Sequence, residues 1–411
     1  MSDVATFEGS SGHALRDAPA AAAPLTGLSI SSTRRVADVE AAWRAFTAEG
    51  VESPGQIYDF IRLWIEAHEI PERDQLFVVA ALNGRPVALL PLWRQRRFGG
   101  SFYGWFPGTH VGCGAPLVDR RRLASMSAGE RVALWQAVGR SIKGADFVYL
   151  RAVPQWAAGL DDPFAGLGRA QEVELLHRAA FASWEEADAV QRSKSRRKHD
   201  RQQGEKLAAL GEIVFEQMRP GDVVGPVIEE MFRQRARRFV AMGIKDPFAA
   251  PDIAAFYRES VVPGSGLDVR LHVLRLNGAI VAARYSIAFG DRLFCLISSM
   301  TDDAALQAGS PGKQSLLRMM QTIFDHDGFR VLDLGAGVND EKRHWCNQHL
   351  PLDNRYLPLT GKGRLMLEVA GLWQTARRRI KTDKRLYPLA RKLRGWLIRR
   401  GGDAPQASTE D

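Results

Sequence analysis

Cysteine is scarce in this sequence, with 3 residues in 411, and no stretch is both long and apolar. Cys113, Cys295 and Cys346 are too few for a disulfide framework, and neither they nor the histidines have metal-ligand spacing. Apolar runs such as residues 87–93 have the length of strands, so we expect no membrane-spanning segment. The N-terminus lacks the basic and apolar regions of a signal peptide. These absences predict a cytoplasmic protein with reduced cysteines and no resident metal.

The positive charge is concentrated near the C-terminus. The formal net charge is +9, and residues 362–400 contain thirteen Lys/Arg against two acidic residues, which leaves −2 for the rest of the chain. The basic character of this tail therefore says little about the ligand of the core. A second basic run, residues 192–201, has no interleaved aromatic side chains for base stacking, which disfavours nucleic acid as a partner.

The order of predicted elements occurs twice along the chain. Each half has a helix, a hairpin, a strand, another helix and another strand. Leu82-Asn83-Gly84 and Leu276-Asn277-Gly278 match at an offset of 194 residues, and residues 143–150 and 327–334 match at an offset of 184. Asn-Gly between two apolar runs is a strong hairpin signal, and its recurrence predicts a duplicated α/β unit.

This repeat sets the expected domain boundaries. The halves cover residues 28–180 and 213–360, a basic connecting helix covers 181–212, and residues 1–27 and 401–411 are expected to be disordered. Residues 361–400 form a basic amphipathic tail, which Pro388 divides into two helices. Its Trp and Leu residues among Lys and Arg suit an interface with anionic lipid. The alternatives are a helix packed on the core and docking on an acidic partner such as a membrane synthase.

The most informative stretch is residues 309–342. Ser310 suits the N-cap of a helix and Pro311 its first position. A helix start after glycine leaves free N–H groups and partial positive charge for phosphate, to which Lys313 adds a full charge. We therefore predict that a nucleotide cofactor binds at Gly309, Ser310, Gly312 and Lys313.

Charged residues near the glycine-containing loop at residues 335–337 are candidates for catalytic roles. Asp333 and Glu341 could act as general bases, with Lys342 and Arg284 orienting acceptor or cofactor. The structural alternatives are an Asx-turn at Asp333, a surface pair of Glu341 with Lys342, and a carboxylate partner for Arg284, which interrupts an apolar strand.

These motifs carry a family resemblance. They are Arg196-Arg197-Lys198 leading to Leu207 and Gly211, the hairpin at Asn277 with Ala282 and Ala283, Ser310-Pro311-Gly312, and Asp333 to Gly337 followed by Glu341-Lys342. Together they resemble the CelD-type acetyltransferases of cellulose and exopolysaccharide synthesis, which are GNAT-superfamily relatives of the FemABX transferases. Residues 307–312 depart by one residue from the usual Gln/Arg-x-x-Gly-x-Gly/Ala pattern.

The resemblance implies tandem GNAT-like domains, each a mixed, mostly antiparallel sheet flanked by helices. It implies acetyl-CoA or another acyl-CoA as co-substrate, and an amine, hydroxyl or saccharide acceptor in exopolysaccharide or cell-envelope biosynthesis. The pyrophosphate would lie at the helix that begins near Pro311. The thioester would lie along the strand that ends at Ser299 and Met300, whose backbone N–H groups would hold its carbonyl.

Three other functions stay open. Residues 331–337 are similar to the first motif of S-adenosylmethionine methyltransferases, although Asn339 replaces its third glycine and no further βα units follow. A FemABX-like transferase would draw amino acids from charged tRNA. A non-catalytic tandem scaffold that docks on a synthase is the third, because a fold does not by itself establish a function.

Overall fold

Two halves of the same design contribute strands to one sheet. A computed structural model describes residues 15–97, 99–157, 159–243 and 246–382, with the backbone alone for 373–382. The strands are β1 (Leu28–Thr33), β2 (Gln75–Leu82), β3 (Arg85–Arg97), β4 (Gly100–Gly104), β5 (Leu117–Val118), β6 (Phe147–Pro154), β7 (Trp156–Ala157), β8 (Leu160–Asp161), β9 (Arg169–Ala180), β10 (Ile213–Met218), β11 (Asp268–Leu276), β12 (Ala279–Phe289), β13 (Arg292–Met300), β14 (Val331–Ala336) and β15 (Gln348–Pro358).

The helices flank this sheet. They are α1 (Glu40–Thr47), α2 (Tyr58–Ala67), α3 (Arg120–Ser125), α4 (Ala128–Ser141), α5 (Trp184–Gln191), α6 (Lys194–Ala208), α7 (Gly225–Ala241), α8 (Pro251–Ser260), α9 (Pro311–Gln321), α10 (Asp340–Trp345) and α11 (Gly361–Thr382). A π-helical turn, Thr322–His326, follows α9. In the part of the chain that the structure describes, no helix is long and apolar enough to cross a membrane.

The predicted hairpins form where the sequence places them. β2 pairs with β3, and β11 pairs with β12, both antiparallel. Asn83 and Gly84 have φ values of 50° and 77°, and Asn277 and Gly278 have 48° and 79°. These turns need positive φ at both central residues, which Asn and Gly adopt at low cost.

The sheet runs in the order β1-β2-β3-β4-β6-β15-β9-β14-β13-β12-β11-β10, with β5 beside β3. The strand that ends each repeat therefore lies away from its own half. β15 pairs with β6 of the first half, and β9 pairs with β14 of the second. β9 and β15 also pair with each other, which joins the halves edge to edge. The predicted fold class is confirmed, and the two expected sheets are continuous.

The largest apolar core lies between the halves. It takes side chains from α1 and α2 and from α7 and α8. The ring of Phe60 lies 4.8 Å from that of Phe256, and Trp64 lies 5.0 Å from the same ring. Separating the halves would expose this core to water, so experiments on the site require the full chain.

The predictions for the two ends of the chain, a disordered N-terminus and a basic C-terminal tail, have different outcomes. The sequence predicts a disordered terminus over residues 1–27, but Arg16 exchanges backbone hydrogen bonds with Ala170 and forms an ion pair with the buried carboxylate of Asp353. Chain contacts therefore begin before residue 28. Pro388 and most of the predicted tail lie outside the described residues, and the other domain boundaries remain predictions.

Candidate active site

The sheet of the second half opens between its two parallel strands. β13 and β14 pair only at Arg292 with Val331, Leu293 with Leu332 and Phe294 with Asp333. Beyond Phe294, β13 continues to Met300 and pairs with β12 alone among the described strands. The ladder is irregular here, because Tyr285 pairs with Ile297 and Ser286 with Cys295, which leaves Leu296 as an extra residue. Such a bulge redirects backbone groups next to the opening.

Helix α9 begins beside this opening. Its N-cap residue Ser310 has φ 49° and ψ 60°, and the Ser310 side chain does not cap the helix. The position predicted for Ser310 is confirmed, but its Oγ accepts a hydrogen bond from Gln203 Nε2 (2.8 Å) and not from the helix. A Cβ added at Gly312 would lie 2.9 Å from Met300 Sδ, so the helix start touches the end of β13. Free N–H groups of α9 therefore lie close to the open strand.

The other residues predicted to bind a cofactor lie around the same helix. Lys313 Nζ contacts Gln203 Oε1 at 2.8 Å and Asp200 Oδ1 at 3.2 Å, both on α6. Its charge is therefore shared with a buried carboxylate. A Cβ at Gly309 would lie 2.8 Å from Leu207 Cβ, so glycine there permits close packing of α6. Ser299 is buried, and its Oγ donates to Ala283 O (3.5 Å).

Arg284 connects three parts of the opening. The side chain is 3% exposed and reaches from β12 across β13, where its Nη1 donates to Ser298 Oγ at 2.9 Å. Its Nη2 donates to Gly312 O at 3.1 Å and to Glu341 Oε1 at 2.7 Å. Burial opposes the charge of Arg284, but Glu341 and Cys295 together outweigh burial, and the pKa of the guanidinium is raised. Arg284 thus links the open strand, the helix start and α10.

Glu341 and Lys342 lie at the start of α10, which Asn339 caps. The Glu341 side chain is 34% exposed, which makes it the accessible carboxylate of the group. Lys342 Nζ donates to Ala336 O at 2.5 Å, and burial lowers its pKa. Glu341 and Arg284 are therefore direct partners, while Lys342 supports the glycine loop.

Asp333 belongs to a buried ion network. It is 4% exposed, its Oδ2 accepts from Arg178 Nε (2.8 Å), and its Oδ1 accepts from Gly335 N (2.8 Å). Arg178 also donates to Glu52 Oε2 (2.9 Å), which in turn accepts from Arg292 Nη1 (2.6 Å). Both oxygens of Asp333 are engaged, and the contact to Gly335 N is the Asx-turn that the sequence left open.

Sequence reasoning missed Arg178 and Glu52. Arg178 interrupts the mostly apolar residues 175–180, the same signal that singled out Arg284. Glu52 gave no such signal, because it lies in a connection between two helices and its partners are far away in the chain.

The first half has the same opening in a filled form. β4 and β6 are parallel and pair at two positions only. Beyond them, Trp105 Nε1 donates to Arg151 O (3.0 Å) and Gly114 N donates to Ala152 O (3.0 Å). The segment between β4 and β5 therefore occupies the edge of β6. The opening beside β6 in the first half, which corresponds to the one in the second half, is filled in this way.

The helix start of the first half is also closed. Ser127 and Glu130 of α4 form a reciprocal capping box. Two N-terminal donors are thus satisfied within the chain, and the carboxylate of Glu130 would repel a phosphate. Judged on the described residues, the second repeat combines an open strand with an uncapped helix and the first does not.

The open strand and the uncapped helix lie within the part of the chain that matches a known family. Residues 194–343 match the acetyltransferase (GNAT) domain family. The match includes β13, α9 and β14 and ends just after Glu341 and Lys342, and it supports an acyltransferase. It does not distinguish the CelD type, which remains a prediction.

Solved structures with similar folds have low sequence identity to this chain. The C-terminal domain of a putative lysylphosphatidylglycerol synthetase from Agrobacterium fabrum is 15% identical, with 82% of this chain and 97% of that one covered and a TM-score of 0.48. A structure described as FemX is 10% identical, covering 74% and 97%, with a TM-score of 0.46. A tandem GNAT protein from the clavulanic acid biosynthesis pathway is 11% identical, covering 80% and 98%, with a TM-score of 0.43. No curated protein matches the sequence.

Proposed function

We propose that the second half binds an acyl-CoA, in the simplest case acetyl-CoA, and transfers its acyl group to an amine or hydroxyl. The observation that carries the proposal is that two sets of backbone N–H donors lie side by side, one on the edge of β13 and one at the start of α9. The strand edge beyond Phe294 lacks a partner strand among the described residues, and the uncapped start of α9 lies against the end of that strand.

The proposed cofactor site follows from these donors. The pyrophosphate would accept hydrogen bonds at the start of α9, around Gly312 and Lys313, where the helix carries partial positive charge. The pantetheine arm would run along β13 past Met300 and Ser299. Backbone N–H groups beside the bulge at Leu296 would hold the thioester carbonyl as negative charge develops on its oxygen.

The chemistry needs a group that removes a proton from the acceptor. We propose Glu341 for this role, because it is the accessible carboxylate and Arg284 fixes its position. Arg284 and Lys342 would orient the site, and Asp333 is better suited to holding the glycine loop. The acyl group would pass from sulfur to the acceptor nitrogen or oxygen, and the CoA thiolate would take up a proton.

The biological setting remains a proposal. The resemblance to CelD-type proteins favours a saccharide or amine acceptor in exopolysaccharide or cell-envelope synthesis, at the cytoplasmic face of a membrane. A non-catalytic scaffold on a synthase is the second candidate, favoured by the filled opening of the first half. The GNAT match disfavours the methyltransferase alternative.

A carboxylate introduced at Gly312 is expected to weaken acetyl-CoA binding. Gly312→Asp would place negative charge where the pyrophosphate docks, while acidic residues at a helix start stabilise the helix itself. The loss should be at least about tenfold in affinity, by calorimetric titration of the full chain with acetyl-CoA.

Two matched variants separate charge from shape. Gly312→Ala adds the same Cβ beside Met300 without charge, and Gly129→Asp places a carboxylate at the corresponding start of α4, where nothing lies within 4 Å. Both are expected to bind much more tightly than Gly312→Asp. Equal affinity of Gly312→Asp and Gly312→Ala would show that the pyrophosphate lies elsewhere.

Acetyl-CoA is also expected to protect Cys295 from alkylation. Cys295 lies at the mouth of the opening and is partly exposed, whereas Cys113 and Cys346 are buried. Burial raises the pKa of the Cys346 thiol to about 12 and that of Cys113 further, so these two react slowly. Labelling with iodoacetamide, followed by peptide mass spectrometry, should find Cys295 modified first and slowed by acetyl-CoA in the wild type but not in Gly312→Asp. Unchanged labelling with bound acetyl-CoA would place the thioester elsewhere.

A further inference from the structure

Helix α11 is fixed to the first half by its first turn. A Cβ at Gly363 would lie 1.8 Å from Asp146 O, and one at Gly100 would lie 2.5 Å from Met366 Cε. Lys362 Nζ donates to Gly99 O at 2.7 Å. The helix therefore has a defined orientation on the hairpin of β3 and β4, and its outer face is set by that contact.

The outer face of α11 carries an apolar stripe. The stripe consists of Leu365, Val369 and Leu372, whose spacing places them on one side of the helix. Their side chains are 65%, 56% and 71% exposed. At about 100° per residue, all three lie within about 80° of Lys362 around the axis, and they are about 120–180° away from Gly363, which faces the first half. The stripe thus borders the flank of the helix from which Lys362 projects.

A basic cavity lies on the same flank. It has a volume of about 550 Å³ and is lined by Arg94, Arg96, Arg97, Lys362, the backbone of residues 99–101 and one carboxylate, Asp146. Arg94 also pairs with Asp74 at 2.6 Å. Even with Arg97 set aside, Arg94, Arg96 and Lys362 outnumber the two carboxylates, so the cavity suits an anion.

We propose that the stripe and the cavity together form a docking surface for an anionic lipid membrane. The stripe would enter the boundary between headgroups and acyl chains, and the cavity would receive a lipid phosphate. The surface belongs to α11 and the first half, and the proposal does not depend on the acyl-transfer site.

Charge decides between a membrane and the other occupants of the stripe. The sequence after the stripe continues with Arg377, Arg378, Arg379 and Lys381, and residues 383–400 add further Lys and Arg. A tail of this charge would be repelled by the cavity if it covered the stripe. A second copy of the chain would bring the same basic surface. An anionic lipid surface complements both the stripe and the cavity, and the basic tail adds to the attraction.

The test is sedimentation of the full chain with vesicles of phosphatidylcholine alone and with increasing phosphatidylglycerol. Binding is expected to rise with phosphatidylglycerol and to fall with salt. Each unit of charge near the surface changes binding by about fivefold, so Arg96→Glu should weaken it by about thirtyfold. Replacing Leu365, Val369 and Leu372 by Ser should also weaken binding, without disturbing the fold, because all three are exposed.

Matched controls are Arg121→Glu on α3, whose side chain is 86% exposed, and Val240→Ser on α7, which is 78% exposed. Both should bind vesicles like the wild type. Wild-type binding by Arg96→Glu or by the triple Ser variant would overturn the proposal. So would equal binding to neutral and anionic vesicles, or no binding to either, which would leave the surface to a protein partner.

Discussion

Replacing Arg178 by Met is expected to lower the free energy of unfolding by about 3–5 kcal/mol at neutral pH. The guanidinium is buried between Glu52 and Asp333, which are 3% and 4% exposed. Met keeps most of the volume but leaves Asp333 without its cation and Glu52 with Arg292 alone. Asp333, in a dry environment, then lacks the charge that offsets its desolvation, and Glu52 keeps one of its two cations.

The effect should depend on pH in a defined direction. Burial alone would raise the pKa of Glu52, but Arg292 and Arg178 outweigh burial and hold that pKa below its ordinary value. A depressed carboxylate pKa contributes stability above the unfolded pKa, and this contribution is lost as the pH falls through the folded pKa. The difference between wild type and Arg178→Met should therefore be largest near neutral pH and shrink in acid.

Urea denaturation at several pH values measures this difference. The matched control is Arg201→Met, which removes an exposed i,i+4 pair with Glu205 on α6 and should change stability by less than about 1 kcal/mol. A loss at Arg178 as small as that at Arg201 would show that the buried network contributes little.

The same network shows why the sequence predicted some elements and missed others. The hairpins at Asn83 and Asn277 and the helix at Pro311 depend on signals within a few residues, so they could be predicted. Strands β9 and β15 were not predicted. They carry Glu174, Arg178, Asp353 and Arg355, which break the apolar alternation of a strand.

Those charges are tolerated in strands because they are paired, and the partners of Arg178 come from distant segments of the chain. Arg178 meets Glu52 and Asp333, which lie 126 and 155 residues away in the chain. No local pattern encodes such pairs. For the same reason, the sequence brought Arg284 and Glu341 to the candidate site but could not show that they are partners.

Replacing Glu341 by Gln is expected to lower kcat for acetyl transfer by about 10²–10⁴-fold if Glu341 is the general base. The amide oxygen of Gln can still accept a hydrogen bond from Arg284 Nη2, so the contacts of Arg284 with Ser298 and Gly312 should persist. The KM for acetyl-CoA should therefore change little. The assay is release of free CoA thiol from acetyl-CoA, with an amino sugar that the wild-type enzyme acetylates.

Two readouts distinguish a base from a positioning group. If Glu341 is the base, Glu341→Gln should lower kcat and leave the KM for acetyl-CoA unchanged. If Glu341 only holds Arg284 against Gly312 O, Glu341→Gln keeps that contact and should leave both kcat and the KM for acetyl-CoA close to wild type, whereas Glu341→Ala, which removes the contact, should raise the KM.

Asp333→Asn is the matched control for the second carboxylate. Because Arg178 and Gly335 engage both of its oxygens, we expect this variant to lose stability and to keep kcat per folded molecule. The fraction folded, measured by circular dichroism under the assay conditions, corrects the rates. Full activity of Glu341→Gln together with a large loss in folded Asp333→Asn would reverse the two assignments. Full activity of both variants would point to a base outside this pair or to deprotonation of the acceptor by solvent.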